Sequence, residues 1–122
     1  MIREWVEANR GSWLERPDGS SASFAEVGSV PWPAVIEVDR EFGGLSLWLG
    51  EREVWVGLDS ALEMPGFHRV LDGRPHVLVG VCGAWRWYVD EQGAVMEVDG
   101  DGAVLSRAES VRVMLERLAL AG

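Results

Sequence analysis

Two prolines and two glycines set tight limits on one stretch of this chain, VPWPAVIEVDREFGG at residues 30–44. Val30, Trp32, Ala34, Ile36 and Val38 alternate as a strand would. Yet Pro31 and Pro33 withdraw two backbone donors that a central strand needs. Ala34, Val35, Val38 and Phe42 also share one helical face. Proline suits the first turn of a helix, where its missing N–H has no partner to lose. Gly43 and Gly44 supply a helix stop. The stretch therefore predicts a helix that ends at the glycine pair.

The pattern changes at once after it. Leu45, Leu47 and Leu49 alternate with Ser46 and Trp48, and Val54 and Val56 flank Trp55. With Gly50, Glu51 and Arg52 between them, these runs predict a hairpin. HVLVGVC at 76–82 reads as a buried strand. WRWYVD at 85–90 and AVMEV at 94–98 predict a second hairpin around Glu91, Gln92 and Gly93. Residues 59–75 read as irregular, with a short helix near 60–64. At the start, Ile2, Trp5, Val6, Asn9 and Trp13 fall on one helical stripe that Gly11 ends, and RPDGSSAS at 16–23 reads as a loop. At the end, Ser106 and Glu109 stand at capping-box spacing, and Ala108, Val111, Leu115 and Leu118 line a helix face. The 122 residues fit one domain, 1–122. The expected class is α+β: a mainly antiparallel sheet with N-terminal and C-terminal helices packed on it.

Charge narrows the function. Eleven Arg and no Lys stand against 20 Asp and Glu, a net charge of −9. That opposes sequence-independent nucleic-acid binding, which rests on cations at phosphate. It suits a basic protein partner instead. Without Lys there is no Schiff base and no Walker A loop. The acids crowd at Asp90, Glu91, Glu97, Asp99 and Asp101, around the tips of the second hairpin. The opening MIREWVEANR carries Glu4 and Glu7 and no apolar core, so no signal peptide is expected. No stretch approaches the ~20 apolar residues of a membrane helix. With a lone Cys82 there is no internal disulfide, and a cytoplasmic setting is expected.

Catalytic signatures are missing. No Ser stands in G-x-S-x-G, and no G-x-G-x-x-G occurs. His68 and His76 lack ligand spacing, and Cys82 sits in an apolar run where it reads as a small hydrophobe rather than the partner of His76. The DGDG run at 99–102 reads as a turn, since Ala103 stands where a calcium loop needs an oxygen side chain and Ser110 where it needs a Glu. No cofactor, metal or catalytic residue is expected. Trp48 and Trp55 lie opposite the aliphatic positions of the first hairpin and are candidate aromatic anchors.

Three stretches, in order, resemble the SUKH superfamily. The first is the proline-led helix ending in Gly-Gly, at Pro31, Phe42, Gly43 and Gly44. The second is a hairpin with Asp, a turn, Gly and a strand, at Asp90, Gly93 and Val95. The third is the Ala-x-Ser before the last helix, at Ala108 and Ser110. Residues 57–75 carry none of its motifs. The resemblance implies an α+β fold without catalytic residues, in which these positions are scaffold. It implies an immunity protein that binds and neutralises a cognate toxin, often a nuclease, or else an interaction module serving another cellular protein. The expected contacts are Glu51, Glu53, Asp90, Glu91, Asp99 and Asp101, with Trp48 and Trp55.

Overall fold

The computed structural model describes residues 2–13 and 32–121; the 16–23 stretch and Pro31 lie outside the described residues. In chain order the elements are α1 (Ile2–Ala8), β1 (Ser12–Trp13), α2 (Pro33–Phe42), β2 (Leu45–Leu49), β3 (Arg52–Val56), α3 (Leu58–Leu62), β4 (His68–Leu71), β5 (Arg74–Cys82), β6 (Trp85–Val89), β7 (Val95–Val98), β8 (Val104–Ala108) and α4 (Val111–Ala121). The strands form one antiparallel sheet in the order β1-β2-β3-β5-β6-β7-β8, and β4 pairs with β5 beside β3. The fold is α+β with helices at both ends of the chain, as the patterning implied.

The proline–glycine bracket produces the helix it allows. Pro33 opens α2, and the chain leaves it at Gly43, whose N–H bonds the Asp39 carbonyl at 2.8 Å. A Cβ on Gly43 would lie 2.4 Å from that carbonyl oxygen and 2.7 Å from Asp39 Oδ1. Gly44 follows with φ +88°, a conformation that L side chains resist. Asp39 itself is buried, and its Oδ1 accepts the Leu58 N–H at 3.1 Å. One carboxylate thus ties the end of α2 to the start of α3.

Leu45, Leu47, Val54, Val56, Trp87 and Val95 point to one face of the sheet and are buried there. Helices α1, α2 and α4 cover that face. Trp13, paired with Leu45 on β1, stacks on Phe42 of α2 with ring centroids 5.7 Å apart. The N-terminal stripe predicts a helix that Gly11 ends, and the helix stops slightly earlier, at Ala8, with Trp13 in a strand. Gly11 presses onto β2, where a Cβ would sit 2.4 Å from the Ser46 carbonyl and 2.7 Å from Leu47 Cβ. Pairing with β2 wins over another helical turn.

The opposite, outer face is covered unevenly. Over β5 and β6 it is roofed by the segment after α3. Tyr88 Oη donates to the Gly66 carbonyl at 2.7 Å, and Arg86 Nη1 donates to the Pro65 carbonyl at 2.5 Å. The β4–β5 hairpin continues the roof. Its Asp72 meets Arg107 of β8 at 2.7 Å, and Arg69 lies over the Tyr88 ring at 5.8 Å. This hairpin replaces the irregular stretch expected before residue 75. Its turn, Asp72-Gly73, has φ +54° and +74°, the two positive values of a type I′ turn.

The sheet ends are short or interrupted. β1 has two residues, and beyond it the Trp48 N–H is taken by the Asn9 carbonyl at 2.9 Å. On β8, Glu97 pairs with Ser106 and Val98 with Val104, so Leu105 bulges out of register. Ser106 is therefore a strand residue, not the helix cap its spacing suggested. The cap is Ser110, whose Oγ accepts the Val113 N–H at 3.2 Å.

Replacing Gly43 with Ala should cost about 1–3 kcal/mol, the usual penalty of forcing a group into a filled site. Urea unfolding should show a lower midpoint with an unchanged slope. An unaltered midpoint would show that the α2–β2 turn has room to spare.

Candidate functional site

Over β2 and β3 no described element roofs the outer face. The alternation that turns Leu47 and Val54 inward turns Trp48, Glu53 and Trp55 outward. Trp48 pairs with Glu53, and Trp55 with Ser46 and Val81, so the two indoles are diagonal neighbours on adjacent strands. Trp48 keeps 40% of its surface exposed, and Trp55 is half-buried. They line an open groove of about 540 Å³ with Glu51, Glu53, Met64 and Val81. Arg52 closes one end, its guanidinium 5.6 Å from the Trp85 ring centroid. The structure thus gathers Trp48, Trp55, Glu51 and Glu53 into one surface: two aromatic rings on an apolar floor, with two carboxylates at the rim.

The other expected contacts do not join it. Asp90 and Glu91 lie in the β6–β7 loop, at the end of the sheet away from the β2–β3 turn. Asp99 and Asp101 lie in the β7–β8 loop, at the same end as that turn but with β5 and β6 between. The two loops are built alike. In each, the first Asp bonds its N–H to the carbonyl four residues on, from Asp90 to Ala94 at 3.1 Å and from Asp99 to Ala103 at 3.0 Å. Its Oδ1 also accepts two backbone N–H groups, those of Gln92 and Ala94 in one loop and of Asp101 and Ala103 in the other. Gly93 and Gly102 take the positive φ that closes each turn. Asp90 and Asp99 therefore hold the loops, and Glu91 and Asp101 are the exposed acids of their tips. The DGDG run is a turn, as read.

Glu97 departs from the acidic surface altogether. It is only 8% exposed, on the helix side, where its Oε2 accepts the Trp87 indole N–H at 2.8 Å. Period-2 alternation with Val95 marked it as inward-facing, but its charge masked that signal. Among the other family-motif positions, Phe42, Val95 and Ala108 are buried and Ser110 caps α4.

Six residues along a regular strand would put His76 and Cys82 on one face. β5 is not regular: Gly80 pairs with Trp87 but Leu78 with Tyr88, so Val79 is a bulge. The bulge turns His76 to the outer face and leaves Cys82 on the helix side, paired with Val54. His68, beside Phe67, is exposed. Among the described residues no group of three His, Cys, Asp or Glu could hold a metal ion, and no helix is long and apolar enough to cross a membrane.

Compared with protein-family models, curated proteins and solved structures, the chain matches none.

Burial pushes the Cys82 thiol above its ordinary range; nearby Glu97 adds to this and Arg52 opposes it. The folded chain then holds the thiol neutral at a pH where the unfolded chain ionises it. Stability from this group is complete below the ordinary thiol pKa and declines above it. Unfolding experiments at rising alkaline pH should show that decline in the wild type and a shallower one in Cys82→Ala. Thiol reagents should modify Cys82 only as fast as the chain opens.

Proposed function

We propose that this chain is an immunity protein, a cytoplasmic binding protein that neutralises a cognate bacterial toxin by direct contact, and not an enzyme. The observation that carries the reading is the outer face of β2 and β3, which no described element covers and where Trp48 and Trp55 line one groove with Glu51 and Glu53. Buried interface hot spots favour Trp, and two rim carboxylates favour a cationic partner. The resemblance of the Gly-Gly helix, the Asp-to-Gly turn and the last helix to the SUKH superfamily supports the same reading. So does the net charge of −9, which steers a basic protein such as a nuclease and repels nucleic acid. On this reading neither cofactor nor membrane takes part. The second reading is a regulatory module of the same superfamily with a partner that is not a toxin.

Mechanistically, the protein needs no chemistry of its own. A nuclease holds phosphate with cations, and an acidic face seated over those cations blocks the substrate. Arg and Lys side chains of the partner would stack on the indoles and pair with Glu51 and Glu53. Because both carboxylates are exposed, their gain lies more in association rate and salt dependence than in raw affinity. The indoles would carry the affinity, since each ring buries a large area on docking.

Co-expression with a toxin encoded beside this gene should permit growth, and the two proteins should co-purify. Trp48→Ala should weaken binding by about 2 kcal/mol or more, as at other interface hot spots, without altering the unfolding midpoint. Glu51→Gln with Glu53→Gln should flatten the salt dependence, whereas Glu91→Gln with Asp101→Asn should leave it unchanged. Wild-type binding by Trp48→Ala would remove this face from the interface. A chain that fails to protect but retains a different protein partner through Trp48 would favour the regulatory module.

A further inference from the structure

A second concavity lies on the outer face at the end of the sheet away from Trp48. The curled β4–β5 hairpin leaves a cleft of about 350 Å³ against β7 and β8. That volume is at the small end of the range for small-molecule sites, ~300–1,000 Å³. Met96 and Ala94 give it an apolar floor, and Asp72, Arg74, His76, Asp90 and Arg107 bring polar groups to it. Arg74 and Asp90 also border an adjoining hollow of about 270 Å³, so both stand where the two meet.

The polar groups divide into spent and unspent. Asp72 and Arg107 pair with each other at 2.7 Å. Arg74 is exposed and makes no ion pair among the described residues. Asp90 commits Oδ1 to two backbone N–H groups, while Oδ2 accepts from no described residue. His76 is the unusual one. It is 1% exposed, and its Nδ1 lies 2.9 Å from the Arg74 carbonyl. A carbonyl only accepts, so Nδ1 carries a proton, and in the neutral imidazole Nε2 is then a bare acceptor. That Nε2 is buried without a partner. Native proteins leave few such atoms unpaired.

We propose that this cleft binds a free α-amino acid. The unspent groups are one cation, one carboxylate oxygen and one neutral acceptor, the complement of a zwitterion. Arg74 takes the α-carboxylate in a two-pronged pair. The α-ammonium donates to His76 Nε2 and Asp90 Oδ2, and the side chain lies along Met96. A simple anion would leave Asp90 opposed, and a simple cation would leave Arg74 opposed; the zwitterion answers both.

The test uses the full chain and the twenty common α-amino acids, each added at millimolar concentration, with thermal unfolding as the first readout. At least one should raise the midpoint in a concentration-dependent way. Its N-acetyl and carboxamide derivatives should bind at least tenfold more weakly, because each removes one charge. Arg74→Ala, a surface change that leaves the core intact, should weaken binding at least tenfold. As a second readout, the imidazole ¹⁵N signal of His76 Nε2 should shift on binding. The proposal is overturned if no amino acid moves the midpoint or the imidazole signal, if the blocked derivatives bind equally well, or if Arg74→Ala binds as the wild type does.

Discussion

β5 must satisfy more neighbours than a single strand usually does. One edge pairs with β6 from Val77 to Cys82. The other is shared, by β3 at Gly80–Cys82 and by β4 at Arg74–Val77. To supply both partners, the chain must leave the end of β3, cross the outer face and return as β4. That crossing carries α3 and the residues through Phe67, and it forms the roof over β5 and β6. Because the crossing runs in one direction only, it leaves the outer face of β2 and β3 uncovered by any described element. The Trp48–Trp55 groove is thus a by-product of how β5 is paired. The bulge at Val79 belongs to the same accommodation, and it sends His76 and Cys82 to opposite sides of the sheet.

Much of this was legible in the residues. α2 followed from Pro33 and the Gly43–Gly44 stop, the two hairpins from their alternation, and β5 from an unbroken apolar run that suits burial on both faces. What escaped was of two kinds. Some signals were present but unread, chiefly Asp72-Gly73, a dipeptide that by itself marks a type I′ hairpin. Others depended on tertiary partners. Trp13 fits the α1 stripe beyond the Gly11 stop, and only contact with β2 shows that it is a strand residue. Ser106 fits a capping box, and only β7 shows why it is a strand. Asp39 and Glu97 look like surface acids until Leu58 N–H and the Trp87 indole account for them.

The acidic tips teach a related lesson. Asp90, Glu91, Asp99 and Asp101 are close in sequence and read as one patch. Successive turns of an antiparallel meander fall at alternate ends of the sheet, so neighbouring loops are the ones least able to share a surface. Trp48, Glu53 and Trp55 were easier to place, because one-in-one-out alternation fixes their common face once the inward leucines and valines are assigned. Charge density along a chain is therefore a weaker guide to a patch than side-chain parity within a hairpin.

The bulge at Leu105 and the brevity of β1 carry one more consequence. A long, regular outermost strand invites another chain to extend the sheet through backbone hydrogen bonds. Among the described residues, one outermost strand is two residues long, and the other is broken at Leu105, with its Arg107 carbonyl already taken by Arg117 Nη1 at 2.5 Å. Recognition by strand addition has little to attach to. Recognition by side chains on a face would instead let single substitutions change it without disturbing the scaffold. A chain built this way can change allegiance one surface residue at a time.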